Sequence, residues 1–390
     1  MNYILEKKYC TGCEACANVC THHAIDMVSD REGFDYPIIN QSKCIDCGLC
    51  TKVCPVIHYE DENKIQRRHA YNNVQKAIAC KINDEKLRGI SSSGGIFPAL
   101  ARHILNQEGI VVGAAFDDTF NVYHKIIASV DQLKDIQSSK YAQSKIGSIY
   151  KEIKRELTTG KMVLFAGMAC QVEGLKSYLQ KDYSNLFTID LICMGIPSPG
   201  VWRIYLDTFF KDEHIKNINF KDKTYGWRTF SMRIETDRRT FLQKGFDNVF
   251  FQCMFRHYTL RPSCFNCPFK KVERLSDFTL ADCWGTVDEV PQLDDNKGLS
   301  SVIVHSSKGL NLWKSISQDL EQAEVTIDSI ARNNDNLVRN RQSNIPRSKF
   351  YAMLSCSPRK AMSKYGKAPN SGIKLRLKSL IRRIKSKLLG

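Results

Sequence analysis

The chain has 390 residues, of which 43% are hydrophobic, so it is long enough for more than one domain and apolar enough to bury a core. Its longest apolar runs, such as residues 110–116, are far too short to cross a bilayer. The net charge of +16 is a property of the last 55 residues, which carry 15 Lys or Arg and no Asp or Glu, whereas residues 1–335 sum to only +1.

Eight of the sixteen cysteines lie in the first 54 residues, in two matching runs. The runs are Cys10-x2-Cys13-x2-Cys16-x3-Cys20 and Cys44-x2-Cys47-x2-Cys50-x3-Cys54, the second followed by Pro55. This spacing is that of bacterial two-cluster ferredoxins, in which three thiolates of each run hold one 4Fe-4S cluster and the fourth crosses to the other cluster. It therefore predicts a first ferredoxin set (Cys10, Cys13, Cys16, Cys54) and a second ferredoxin set (Cys44, Cys47, Cys50, Cys20). Zinc sites and disulfide frameworks are the competing interpretations, but zinc sites use paired C-x2-C units rather than this 3+1 pattern.

These two runs predict that residues 1–58 form a small α+β two-cluster ferredoxin-like domain. Residues 1–8 lack the apolar segment of a signal peptide, and cysteines that load clusters must stay reduced, so we expect a cytoplasmic protein. Residues 59–69 are charged and poor in apolar side chains, which predicts a linker over residues 59–76.

From residue 77 onward the sequence pattern alternates between strands and helices. Strands are predicted at 77–81, 110–116, 123–128, 162–165, 187–192, 231–235, 278–281 and 302–305. Helices are predicted at 96–106, 146–158, 171–180, 200–210, 248–258 and 310–320. This alternation predicts an α/β body with a mixed sheet, whose N-terminal part is residues 77–158 and whose C-terminal part is residues 159–335.

Two polar segments of the body have the residue types of a cofactor site. The run Ser91-Ser92-Ser93-Gly94-Gly95 precedes a predicted helix, where hydroxyls, glycines and free amides together can hold a phosphate. Ordinary caps and turns have the same composition. The segment 140–144 supplies a cation, an aromatic ring and polar donors, and taken alone it is equally compatible with a surface loop.

Four further cysteines form a candidate body set, namely Cys170, Cys193, Cys264 and Cys267. The first two follow predicted strands, at the carboxyl ends where α/β folds build their sites, and the other two form a Cys-x2-Cys-Pro unit. Four thiolates are enough for a third 4Fe-4S cluster. A structural zinc site and ordinary buried thiols are the alternatives.

Taken in order, these body motifs resemble the coenzyme F-420 hydrogenase/dehydrogenase beta-subunit family, in which an N-terminal two-cluster ferredoxin is a common fusion. The resemblance extends from about residue 77 to residue 305 and includes Gly167-x2-Cys170-Gln171, Cys193-x-Gly195-x-Pro197, Cys264-x2-Cys267-Pro268 and Trp284-Gly285. It implies a flavin-proximal cluster on the body set. It also implies FAD phosphate contacts at Ser92, Ser93, Gly94 and Gly95 and flavin-side contacts at Lys140, Tyr141, Gln143 and Ser144.

The function implied is that of an iron-sulfur flavoprotein oxidoreductase, in which Lys140 stabilises negative charge on the reduced flavin or on the substrate. The electron donor is a redox partner protein, a deazaflavin or another small molecule. The alternative function is an electron carrier or scaffold with clusters but no flavin chemistry of its own. Ala169 stands where the family usually has proline and Met194 where histidine is frequent, so the resemblance does not fix the substrate.

The basic tail, residues 336–390, ends in a predicted amphipathic helix over residues 373–389. Apolar residues recur there at helical spacing between Lys and Arg, which is typical of peripheral contact with an anionic membrane surface, here the inner face of the membrane. Docking on a partner protein is the alternative, whereas nucleic acid is not expected, because no aromatic platform accompanies the charge. The tail also resembles bacterial family members from surface-polysaccharide biosynthesis loci.

Overall fold

The computed structural model describes residues 4–74, 76–342 and 345–367. The strands in this part of the chain are β1 (Ile25–Ser29), β2 (Asp35–Ile39), β3 (Lys76–Ile82), β4 (Ile110–Phe116), β5 (Val122–Ile127), β6 (Val163–Ala166), β7 (Leu186–Leu191), β8 (Ile215–Asp222), β9 (Ser231–Thr236), β10 (Thr240–Lys244), β11 (Phe278–Asp282), β12 (Ser300–Val304) and β13 (Leu320–Glu324).

The helices are α1 (Ala15–Val19), α2 (Leu49–Lys52), α3 (Glu62–Tyr71), α4 (Glu85–Gly89), α5 (Ile96–Asn106), α6 (Leu133–Ile136), α7 (Ile149–Thr158), α8 (Ala169–Leu179), α9 (Pro199–Phe209), α10 (Val249–Phe255), α11 (Ser307–Ile316), α12 (Ile327–Asn333), α13 (Arg347–Cys356) and α14 (Pro358–Tyr365). No helix of the described residues is long and apolar enough to cross a membrane.

The body is built on a mixed eight-stranded sheet with the order β13-β3-β12-β11-β7-β6-β4-β5. Its four central neighbours β11, β7, β6 and β4 are parallel, and the outer pairs are antiparallel. This sheet and the small N-terminal domain, a β1-β2 hairpin with α1 and α2, confirm the predicted fold class. Strand β3, from the N-terminal part, lies between β13 and β12 of the C-terminal part, so both parts contribute to one sheet that does not divide at the boundary between them.

A second layer of the body consists of the antiparallel sheet β10-β9-β8 and the helices α9, α10, α13 and α14. These elements share an aromatic core that includes Trp202, Phe220 and Phe250. Helices α13 and α14 fall in the range predicted as a basic tail, yet Phe350 and Met362 are fully buried in this core. The folded body therefore extends to at least residue 365, and the predicted helix 373–389 lies outside the described residues.

The predicted linker, residues 59–76, contains the ten-residue helix α3. Asp61 caps this helix by accepting a hydrogen bond from the amide of Asn63. The guanidinium of Arg68 is buried, lies over the ring of Tyr59 and donates to the carbonyl of that residue, while the Tyr71 hydroxyl donates to Asp277. This segment is packed on the body through Tyr71, which reaches Asp277, and through Arg67, which pairs with Asp182.

The two-cluster domain is fastened to the body by a buried carboxylate. Glu14 accepts hydrogen bonds from the amides of Ile146 (2.8 Å) and Gly147 (2.9 Å), and Asn18 of the same domain donates to the Gly147 carbonyl (2.8 Å). Burial raises the pKa of Glu14, while the two amide donors act in the opposite direction. Glu14 lies between two cysteines of the first ferredoxin set, so this contact fixes the cluster-binding turn on the body.

We expect Glu14→Ala to lower the free energy of unfolding by about 1–3 kcal/mol, because it leaves two amides of the interface without an acceptor. Denaturant unfolding of the anaerobic protein measures the change. The matched control is Glu6→Ala in the same domain, since the Glu6 carboxylate is exposed and pairs with Lys8 at the surface. Equal stability of the two variants would show that the Glu14 contact contributes nothing to docking.

Candidate functional site

The first ferredoxin set surrounds a single cavity. Cys10, Cys13, Cys16 and Cys54 all line a space of about 400 Å³, although Cys54 comes from the second cysteine run. Burial, helped by the neighbouring Cys54 and Cys10, raises the pKa of Cys13 to about 12. Binding of a cluster must therefore displace the proton of Cys13. The structure thus brings together the four thiols that the crossed pattern predicts for one cluster.

The second ferredoxin set lies at the surface of the small domain. Cys47 is exposed, and Cys20, Cys44 and Cys50 are partly exposed. Most of the loop 41–48 is exposed as well, including the side chain of Ile45 (61%). A cluster held here would be the one most accessible to a partner in solution.

The body set lines a second cavity, of about 460 Å³. Cys170 lies in the first turn of α8, directly after β6, and Cys193 follows β7, so two parallel strands deliver both thiols to the same edge of the sheet. Cys264 and Cys267 come from a short 3-10 turn, Pro262–Asn266, and from the residue after it. The Ile196 amide donates to the Cys264 sulfur at 3.3 Å.

The lining of this second cavity suits an anionic cluster. Its polar atoms include the hydroxyls of Thr11 and Ser263, which are buried without a hydrogen-bond partner among the described residues, and the guanidinium of Arg274, which pairs with Asp190. The ammonium group of Lys270 lies nearby, and its charge lowers the pKa values of Cys193, Cys264 and Cys267, which burial raises to about 11. Hydroxyl and guanidinium donors of this kind commonly contact cluster sulfurs.

No group of three or more His, Cys, Asp or Glu side chains in the described ranges is arranged to hold a single metal ion. The four thiols of the body set line one cavity, and four thiolates are the ligand set that a 4Fe-4S cluster takes, so these residues could hold one.

The two cavities are adjacent. Thr11 of the small domain lines the cavity of the body set, and the Cys13 thiol acts electrostatically on Cys170. Gly174, one turn after Cys170 on α8, faces Cys13 so closely that a Cβ there would lie 2.9 Å from Cys13 Cβ. A side chain at position 174 would separate the small domain from α8, so this glycine permits the close approach of the two thiol sets.

The two segments predicted to contact FAD are neighbours in the structure. The hydroxyl of Ser92 accepts a hydrogen bond from the amide of Ser139 (2.7 Å), which joins the serine-glycine turn to the segment that begins at Lys140. Ser93 donates to the Leu299 carbonyl, and the Gly94 amide donates to the Ser300 hydroxyl, so these two groups are bonded within the protein. Gly95 begins α5 without a side-chain cap, and because Pro98 has no amide hydrogen, the first amides of that helix are those of Ile96 and Phe97.

Lys140 and Tyr141 point away from the solvent into this region. The Lys140 ammonium donates to the carbonyls of Gln137 (2.9 Å) and Ser138 (3.3 Å), and burial lowers its pKa to about 7. The ring of Tyr141 packs edge-on against Phe220 and Phe251. Tyr141 is thus held against the aromatic core, next to Lys140.

Gln143 and Ser144 contact the cluster-binding side of the molecule rather than the serine-glycine turn. The amide nitrogen of Gln143 donates to the carbonyls of Thr11 and Gly12 in the small domain. The Ser144 hydroxyl accepts from Gln171 on α8 (3.0 Å). Both residues therefore serve the junction with the small domain in this structure.

Several residues of the site carry no sequence signal that singles them out. Lys270 and Arg274 line the cavity of the body set, and Arg261 contacts Cys10 across the domain junction. All three lie close in sequence to Cys264 and Cys267, and cations beside a Cys-x2-Cys-Pro unit are suited to neutralise thiolates. Nothing else in the sequence distinguishes them.

Two segments of the chain match known protein families. Residues 160–329 match the family defined by the C-terminal part of the coenzyme F420 hydrogenase/dehydrogenase beta subunit, and residues 9–57 match the 4Fe-4S dicluster domain. The family resemblance drawn from the motifs is confirmed, and the second match supports iron-sulfur clusters in the small domain. The two matches relate the chain to iron-sulfur oxidoreductases that transfer electrons.

Two proteins of Methanocaldococcus jannaschii are similar to the chain. A coenzyme F420-dependent sulfite reductase is 23% identical over 317 residues, which are 79% of this chain and 46% of that protein. An uncharacterized polyferredoxin-like protein is 31% identical over 102 residues, which are 22% of this chain and 61% of that protein. The chain therefore spans less than two thirds of the length of either relative. Among solved structures, the F420-reducing NiFe hydrogenase complex from Methanosarcina barkeri has a chain with a TM-score of 0.47 and 15% identity, covering 67% of this chain and 88% of that chain.

Proposed function

We propose that this chain, which joins a 4Fe-4S dicluster domain to the C-terminal domain of the coenzyme F420 hydrogenase/dehydrogenase beta subunit, is an iron-sulfur flavoprotein oxidoreductase with three 4Fe-4S clusters and FAD. The observation that carries the proposal is the body set. Four thiols from three separate segments converge on one cavity, which is also lined by two buried hydroxyls, those of Thr11 and Ser263, without a hydrogen-bond partner among the described residues. Ordinary core cysteines have no reason to converge in this way.

The three thiol sets lie one after another in space, from the surface of the molecule toward its interior. The second ferredoxin set includes the exposed Cys47, the first includes the buried Cys13 at the domain junction, and the body set lies next to the first across Gly174. Met194, next to Cys193, and Tyr141, next to Lys140, pack on the same aromatic core. This arrangement supports transfer of electrons between a partner at the surface and a cofactor bound near the serine-glycine turn.

Clusters supply one-electron transfer, and a bound flavin would supply the pairing of electrons that a two-electron substrate requires. The free amides at the start of α5 would hold the phosphates, and Lys140 would place a positive charge near the flavin. The sulfite reductase relative acts with coenzyme F420 by its description, so we propose a deazaflavin-type carrier as the two-electron partner. The link to surface polysaccharides stays a prediction, as does membrane contact through residues 373–389.

The flavin part of the proposal is tested by releasing the cofactor of the anaerobically purified protein with heat and reading its absorbance. We expect about one FAD per chain in the wild type. A holoprotein that has clusters but no flavin would contradict this part of the proposal and favour the electron-carrier alternative.

We expect flavin reduction to depend on pH through Lys140. The ammonium is charged below its pKa of about 7 and neutral above it, so we expect flavin reduction to become less favourable as pH rises through about 7. In Lys140→Arg that inflection should disappear, because a guanidinium stays charged. Anaerobic flavin titration from pH 6 to 8, on wild type, Lys140→Arg and Lys140→Met, measures it. An unchanged pH profile in Lys140→Arg would remove Lys140 from this role.

A further inference from the structure

A buried arginine occupies the junction between the dicluster domain and the body. Arg261 is only 1% exposed. Its Nε donates to the Cys10 carbonyl (2.7 Å), Nη1 to the side-chain oxygen of Gln143 (2.8 Å) and Nη2 to the Asp35 carbonyl (2.9 Å). The same Nη2 lies 3.8 Å from the Cys10 sulfur. One guanidinium therefore joins the first ferredoxin set to the body by direct contact.

The turn between Cys10 and Cys13 is shaped to admit this guanidinium. Gly12 has a φ of +66°, and a Cβ at this position would lie 2.7 Å from Arg261 Nη1. Gln143 completes the contact, because its oxygen accepts from Arg261 while its nitrogen donates to the Thr11 and Gly12 carbonyls. The arginine is thus built into the cluster-binding turn and does not simply cover it.

The charge of Arg261 is not balanced by a carboxylate. Among the described residues, none forms an ion pair with it, whereas Arg88 and Arg274, which are similarly buried, pair with Asp295 and Asp190. The groups around Arg261 are carbonyls, an amide and the rings of Tyr36 and Phe34. Burying a cation without an anionic partner is costly, so the missing anion is expected within reach of the guanidinium.

The Cys10 sulfur supplies that anion when the first ferredoxin set binds a cluster. A 4Fe-4S group with four thiolates has net negative charge, and reduction by one electron makes it more negative. We propose that Arg261 is the counter-ion of this cluster, raising its reduction potential and fastening the dicluster domain to the body. The inference rests on the cluster assignment of the proposed function, and it requires neither the flavin nor the body cluster.

The test is an anaerobic potentiometric titration of the reconstituted full-length chain, followed by electron paramagnetic resonance, with iron counted in each sample. In Arg261→Gln we expect one cluster step to move to lower potential while the others stay in place. A tenfold change in the ratio of reduced to oxidised cluster, which is about 59 mV for one electron, is the expected minimum. Arg261→Lys should restore most of the shift, since it keeps the charge.

The matched control is Arg347→Gln. Arg347 is a second body arginine at this junction, but it pairs with Glu32, and its other hydrogen bonds go to the carbonyls of His257 and Tyr258 rather than to the cysteine turn. Its replacement should leave every cluster step unchanged, and an equal shift there would mean that loosening the junction, and not the charge, moves the potential.

The iron content and the comparison of Arg261→Gln with Arg261→Lys also test the role of Arg261. Loss of about four irons in Arg261→Gln, with recovery in Arg261→Lys, supports a counter-ion that the cluster requires. Full iron content with no shifted step in Arg261→Gln overturns the inference, as does equal behaviour of the Gln and Lys variants. A wild-type chain that binds no clusters overturns the proposed function itself. Failure of the proposed function is thereby distinguished from failure of the Arg261 inference.

Discussion

Replacing Cys170 with alanine is expected to remove one cluster of three, so that iron falls from about twelve to about eight atoms per chain. The variant lacks one of the four thiols that converge on the body cavity, and no further cysteine of the described residues lines that cavity. Electrons supplied to the dicluster domain should then no longer reach the flavin. Iron analysis and anaerobic flavin bleaching by a low-potential donor measure the two effects.

The matched control for this prediction is Cys253→Ala. Cys253 is fully buried, but it lies on α10 in the aromatic core, away from both cavities. Its loss should cost stability without changing the iron content. If Cys170→Ala retains about twelve irons and bleaches its flavin at the wild-type rate, the body set is not a cluster site.

Replacing Gly174 with valine is expected to force the dicluster domain away from α8. A Cβ at this position would lie 2.9 Å from Cys13 Cβ and 3.1 Å from its sulfur, and a cluster bound to Cys13 prevents that residue from moving aside. Overpacking of this kind costs about 1–3 kcal/mol, which exceeds the gain of about 1 kcal/mol from removing a glycine from a helix. We expect lower stability and slower electron transfer to the flavin, with both ferredoxin clusters still bound.

Denaturant unfolding and rapid anaerobic mixing of the reconstituted protein check this result. Gly89→Val is the matched control, because Gly89 ends α4 at the surface and nothing lies within 4 Å of a Cβ built there. Wild-type stability and wild-type flavin reduction in Gly174→Val would show that the close approach of α8 to Cys13 is not needed for either.

The sequence allowed much of the sheet and the thiol sets to be predicted, because both have strong local patterns. The apolar run 110–116 is strand β4 to the residue, and the helix predicted at 96–106 has the same bounds as α5. The turns that follow β6 and β7 carry Cys170 and Cys193, and the register of parallel neighbours then brings the two thiols together. Strand propensity and cysteine spacing were sufficient for these features.

Other elements were missed because tertiary partners override local composition. Strand β13 is an edge strand in which only Leu320 is buried, so it lacks the alternation of a half-buried strand. Helix α3 has the composition of a solvated linker, but Arg67 and Tyr71 contact Asp182 and Asp277 on the body. Contacts with residues that are distant in the chain cannot be recognised from a short stretch of sequence.

The direction of the Gln143 side chain also depends on a tertiary partner. The segment 140–144 was predicted to contact the flavin as a unit, but its backbone carries Lys140 toward one side and Gln143 toward Arg261 and the cysteine turn. Spacing along the chain indicates which residues are neighbours, whereas the direction of each side chain depends on the dicluster domain, which is more than 120 residues earlier in the sequence.

The central claim is that the body cavity binds a third cluster that connects the dicluster domain to a flavin. Its most direct test is the iron content of the full-length wild-type chain after anaerobic reconstitution, measured with the flavin released from the same sample. We predict about twelve irons and about one FAD per chain. About eight irons, with or without flavin, would contradict the claim, because the two ferredoxin sets alone account for that number.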